Sequence, residues 1–144
     1  QGRRSLRRAM NASADPRTTT TVVLNSGYFA SAPRGVPLPE RLPWSSFSKP
    51  IAFFTGGKTD IAYANAYANF REAPALPMFI ASREVGHADA YPAPDSKWTA
   101  AVVSWLDWQL KGDRGAARLF LGKDCGLCGD GDWSEVASHA LPEQ

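Results

Sequence analysis

No apolar run approaching 18 residues occurs in this 144-residue sequence, so nothing in it reads as a membrane-spanning helix. A basic stretch leading into an apolar core is also missing, and with it any visible secretory signal. Secreted and cytoplasmic locations both stay open. Cysteine and histidine are scarce, with two of each, so a zinc site built on Cys125 and Cys128 would have only His87 and His139 to draw on besides carboxylates. No internal repeat is present. The phosphate-loop pattern G-x-x-x-x-G-K-[ST] is matched only at its end, by Gly57-Lys58-Thr59, because Ala52 stands where the first glycine is required. That excludes nucleotide binding of this kind. Gly129 to Asp132 lacks the spaced ligands and closing glutamate of a calcium loop and reads as a turn.

What is present argues for one domain with a real core: 44% of residues are apolar and five are tryptophan. The formal charge of +2 depends on Arg3, Arg4, Arg7 and Arg8, without which the remainder carries −2. Those arginines fall on one face of a helix-compatible stretch. A basic arm for nucleic acid or an acidic partner is one reading of that face, binding weakly and with strong salt dependence. No reader motif or interleaved aromatic accompanies it, and an ordinary solvated helix is the plainer alternative. The sequence begins with Gln1 and its first methionine is Met10, so an upstream piece is expected.

Three segments follow from the pattern. Residues 1–14 form an arginine-rich helix that Asp15-Pro16 stops. Residues 18–111 form a strand and helix core. Residues 112–144 form a loop-rich extension that carries a C-x-x-C pair. Within the core, Thr18 to Leu24 is a β-branched run ending at the turn Asn25-Ser26-Gly27. Residues 31–50 hold five prolines and read as a surface excursion of the kind used as a lid or pocket wall. Strands are then expected at 51–55 and 77–82, with helices at 61–72 and 96–111. In the first helix Tyr63, Ala66, Tyr67 and Phe70 share one face, and in the second Trp98, Ala101, Val102 and Trp105 do. Asp95 or Ser96 offers the second helix an N-cap, and Lys111-Gly112 closes it. The fold class is α/β, with about three mostly parallel strands flanked by helices and right-handed crossovers.

Asp60 and His87 are the candidate catalytic residues. Each follows a strand-like run, where open α/β sheets bind ligands. A carboxylate against one imidazole nitrogen fixes the tautomer and supports the imidazolium that forms when the other nitrogen takes a proton. The plainer alternative makes Asp60 a cap for the helix that follows and His87 a surface loop residue. Both readings stay open on spacing alone.

The stretches KPIAFFTGGKTDIAYANAYANF (49–70), PMFIASREVGHADAY (77–91), WTAAVVSWLDWQLKGD (98–113) and CGLC (125–128) together resemble the carboxyl half of an α/β-hydrolase, near the dienelactone-hydrolase-like and polyester-hydrolase-like branches. The resemblance covers residues 15–133 or so and rests on order and context. It implies a serine hydrolase of carboxylic esters with Asp60 as the catalytic acid, His87 as the catalytic base and no cofactor. It also implies a small-molecule ester substrate, and the missing amino-terminal half of the fold as a structural partner.

The nucleophile elbow G-x-S-x-G is absent from the sequence. Gln1-Gly2 is expected to stand directly after the lost serine, which would make the Gln1 backbone N–H an oxyanion donor. RRSLRRAM departs from the small, apolar residues usual in the helix after the elbow. The chain by itself is expected to be inactive, its sheet left with an exposed edge. A non-catalytic relative that keeps a binding pocket is the alternative. Tyr28 matches a position where relatives place an aromatic substrate contact, with core packing as the alternative. Cys125 and Cys128 read as a structural disulfide or two thiols, in a loop context that disfavours redox chemistry. No metal is expected.

Overall fold

The computed structural model describes residues 2–28, 40–87 and 96–142, with side chains from Arg7 onward. Helix α1 spans Gly2–Ala12 and strand β1 Thr21–Leu24. A 3₁₀ turn at Trp44–Ser46 precedes β2, Ile51–Thr55. Then come α2 (Tyr63–Glu72), β3 (Met78–Ser82), α3 (Lys97–Lys111), the short α4 (Arg114–Ala117) and β4 (Ser134–His139). The strands form one sheet in the order β1-β2-β3-β4. The first three run parallel and β4 is antiparallel to β3. The chain is therefore an α/β fold on a mixed sheet.

The central strands are buried on both faces, which is why they read as continuous apolar runs. Every residue of β2 and β3 is buried. Alternation splits them between two cores. Ala52, Phe54, Phe79 and Ala81 face α3, where Trp98, Ala101, Trp105 and Trp108 line up at helical spacing. The register sets Ala52 against Phe79 and Phe54 against Ala81, so each large ring lies beside a small neighbour and the layer fills evenly. Ile51, Phe53, Met78 and Ile80 face the other way, toward Met10 of α1 and Ala66 of α2. Trp105 is fully buried yet its indole N–H is satisfied, donating to Thr20 Oγ1 at 3.0 Å. Helix α3 is bounded as its sequence predicts. The Ser96 side chain accepts from Thr99 N–H, and Gly112 takes the left-handed conformation at φ 69°. Asp95 lies outside the described residues.

The segment 112–144 is rich in turns, and among its described residues it also holds α4 and a fourth strand that the sequence reading did not expect. Ser134, Glu135 and Ser138 gave β4 little strand-like signal, and it is irregular, with Glu135 at φ 48° and a register shift against Ile80 and Ser82. Two side-chain anchors hold it down. The Tyr67 hydroxyl donates to Glu135 O at 2.8 Å. The two ring nitrogens of His139 lie 2.7 Å from Leu76 O and 2.7 Å from Phe70 O. Replacing His139 with Ala strands two carbonyls, and we expect urea unfolding to show a loss of about 1–3 kcal/mol. An unchanged midpoint would mean that these bonds do not hold β4.

Candidate functional site

Asp60 and His87 are brought together, and the backbone between them explains how. The loops leaving β2 and β3 are bonded along their length: Arg83 N–H donates to Thr55 O at 3.0 Å, and Val85 and Gly86 N–H both donate to Gly56 O, at 3.1 and 2.7 Å. So close an approach needs glycine. A Cβ on Gly56 would sit 2.1 Å from Gly86 O, a backbone atom that cannot rotate away. Gly57 has φ 85° and lies under Glu84, whose carboxylate accepts from Lys58 N–H at 3.1 Å. Gly56 and Gly57 are therefore site residues that sequence reasoning missed; it tested them only against a phosphate loop.

On this frame the His87 Nδ1 lies 2.6 Å from Asp60 Oδ1. The Asp60 side chain has no solvent exposure, whereas that of His87 is 44% exposed. Asp60 also accepts from Ala62 N–H at Oδ1 and from Gly56 N–H at Oδ2, both at 2.9 Å. Asp60 thus orders the turn before α2 and contacts the imidazole, but it does not cap the helix, whose N-cap position is Ala62 with no side-chain cap bond. The two backbone amides donate, and because a carboxylate only accepts, the contact with His87 requires the tautomer that carries its proton on Nδ1. His87 presents its other nitrogen from the exposed end of the ring, where it can exchange a proton with a bound molecule.

A chain of hydroxyls runs beneath the site. Gly57 N–H lies 3.4 Å from Thr55 Oγ1, Thr55 Oγ1 is 2.6 Å from Ser82 Oγ, and Ser82 Oγ is 2.9 Å from the Tyr67 hydroxyl. Thr55 and Ser82 are fully buried. Burial holds the Tyr67 phenol well above its ordinary range, so it remains a neutral donor. Tyr63, hydrogen-bonded to Glu135, is pushed up to about 12 by that bond.

The remaining expectations fall elsewhere. Tyr28 takes the core-packing alternative. It is 1% exposed, set edge-on to Trp44 and Phe47, with its hydroxyl on Asn11 and its main chain bonded both ways to Asn69. Burial raises its phenol, partly opposed by Arg41 4.6 Å from the ring. This corrects the substrate-contact expectation for Tyr28: a side chain enclosed on this scale has no face for a ligand. Cys125 and Cys128 are joined by a disulfide, Cys125 buried among the aromatic residues under α3. Gln1 and residues 31–39 of the proline-rich excursion lie outside the described residues.

A cleft of about 800 Å³ lies away from Asp60 and His87, between β4 and the disulfide loop, lined by Phe120, Lys123, Cys125, Trp133 and Val136 among others. The buried carboxylate of Asp60 and the partly exposed imidazole of His87, rather than this cleft, make the candidate site. Among the described residues no group of three or more His, Cys, Asp or Glu is placed to hold a metal ion, and no helix is long and apolar enough to cross a membrane. No family model matches the chain, and no curated protein does.

Two outcomes follow. Gly56→Ala should force the two loops apart, costing about 1–3 kcal/mol of stability in thermal or urea unfolding; a fully native midpoint would show that the loops tolerate separation. Asp60→Asn turns one acceptor into a donor facing a donor, and should cost a similar ~1–3 kcal/mol. Equal stability of the two proteins would mean that Asp60 is not held as described.

Proposed function

We propose that this chain is the carboxyl-terminal part of an α/β-hydrolase fold and that Asp60 and His87 are the acid and base of a serine hydrolase acting on carboxylic esters. The observation that carries this is the contact of His87 Nδ1 with a fully buried, triply hydrogen-bonded Asp60 while the ring itself is partly exposed. A charged carboxylate held this way stabilises the imidazolium of the transition state. Its strand-end setting supports the same reading, since both groups stand just beyond the carboxyl ends of neighbouring parallel strands.

The path of α1 adds a second support. It joins β1 through the short connection 13–20, and its Met10 shares a buried cluster with Val23 of β1. A helix that runs back over the strand it feeds has its amino terminus toward that strand's carboxyl end, the end at which Asp60 and His87 stand. A nucleophilic serine supplied immediately before α1 would lie at a helix N-terminus, whose backbone N–H groups can stabilise an oxyanion. In the reaction, His87 Nε2 removes the serine hydroxyl proton as Oγ attacks the ester carbonyl, and returns it to the departing alcohol. Water, deprotonated by the same nitrogen, then releases the acid and frees the serine. The chain by itself supplies the acid and base but no nucleophile at that position.

The test extends the chain upstream through a strand and Gly-x-Ser segment encoded by its source gene and follows hydrolysis of p-nitrophenyl esters together with fluorophosphonate labelling. The extended protein should label and turn over, while the 144-residue chain should do neither. His87→Ala should lower kcat/KM by about 10³–10⁴-fold or more. Turnover that survives His87→Ala, or a gene with no such segment, would sink the reading.

A further inference from the structure

Asn25 ends β1 in a conformation that most residues avoid. Its φ of 47° lies in the left-handed region, which asparagine tolerates better than other side chains but still at a cost. It is also buried, at 5% exposure. Its backbone N–H donates to Phe54 O at 2.9 Å, extending the ladder between β1 and β2. Its side-chain Nδ2 donates to the His87 carbonyl oxygen at 3.2 Å, across 62 positions of sequence. Because that partner is a carbonyl, the amide nitrogen must face it. Oδ1 is then left buried without a hydrogen-bond partner. Backbone strain and an orphaned buried acceptor thus coincide in one residue, a combination that persists where a particular geometry is required.

We propose that Asn25 is a positioning residue of the acid–base site, holding the main chain of His87 so that its imidazole stays against Asp60. The proposal rests on the hydrolytic reading above and adds a third strand to the site. Asp60 fixes the ring at Nδ1, and Gly56 fixes the loop before His87 from the β2 side through the amides of Val85 and Gly86. His87 is itself exposed. Asn25 reaches the His87 peptide from the end of β1, beyond β2, so that the loop carrying His87 is held by two successive strands of the sheet. Three successive parallel strands then each deliver one polar residue at the carboxyl end: Asn25, Asp60 and His87. A rotation of the His87 peptide would swing Nδ1 away from Oδ1, and the Asn25 amide opposes that rotation directly.

Glycine is the discriminating substitution, because it adopts this φ without a side-chain penalty while deleting the amide. The readout is the His87 Nδ1 proton, followed by NMR of the 144-residue chain labelled with ¹⁵N-histidine. Asn25→Gly should melt no lower than the parent, yet its His87 Nδ1 proton should exchange with water at least ten-fold faster or vanish. Asn25→Asp, which keeps the shape and tolerates the same φ but cannot donate, should show the same loss. A parent-like proton in both variants overturns the proposal, as does a lowered melting temperature with the proton retained, which is what a purely structural role would give. The hydrolytic reading fails by a different measurement, the labelling of the extended protein, so the two failures are told apart.

Discussion

The backbone contact between Gly56 and Gly86 is the constraint on which the site depends. A hydrogen bond between a carboxylate and an imidazole is short-ranged, so two loops that leave separate strands must run side by side before Asp60 can reach His87. Gly56 O accepts from two successive amides of the β3 loop, Val85 and Gly86. The loops therefore inherit the spacing of the sheet and extend its pairing past the last ladder residues, Thr55 and Ser82. Rigidity is passed from a core of Phe53, Phe54, Phe79 and Ile80 to a pair of polar groups at its edge. In open α/β sheets packing sets positions, and the loops beyond the strand ends carry the reactive groups.

Below that contact, the polar residues inside the sheet layers are paired rather than tolerated. Thr55, Ser82 and Tyr67 satisfy one another across β2, β3 and α2, and Asn69 closes on both main-chain groups of Tyr28. Left unpaired, each would cost on the order of 1–3 kcal/mol. Paired, they specify which elements meet. Asn25 leaves Oδ1 unmatched, as Trp98 leaves its indole nitrogen, and Asn25 touches the His87 main chain.

Much of this was legible in the sequence for a physical reason. Ile51 to Thr55 and Met78 to Ser82 are buried on both faces, so burial alone forces them to be apolar runs that stand out from their surroundings. Helix α3 was legible because Trp98, Ala101 and Trp105 repeat at helical spacing and Ser96 and Gly112 punctuate it. The Asp60 and His87 pair was legible as position, each just past a strand. What escaped was non-local. Gly56 and Gly57 matter because of Gly86 and Glu84, about 30 positions away, and no local pattern marks that. Strand β4 is polar and irregular, and becomes a strand only by meeting β3. Tyr28 lies beside a turn in sequence but at the centre of a cluster in space, with Trp44 and Phe47 arriving from beyond the proline-rich segment.

The antiparallel β4 has a consequence for assembly. Its reversed direction, its shifted register and the left-handed Glu135 make it a poor template for another parallel strand. At the opposite margin β1, Thr-Val-Val-Leu, is bonded on one side among the described residues. Among those residues the sheet thus ends in a reversed strand at one margin and in a parallel strand with a free side at the other. Any further parallel strand joins beside β1, on the margin nearest Asn25, and every strand added there lengthens the row of carboxyl ends along which Asn25, Asp60 and His87 already stand.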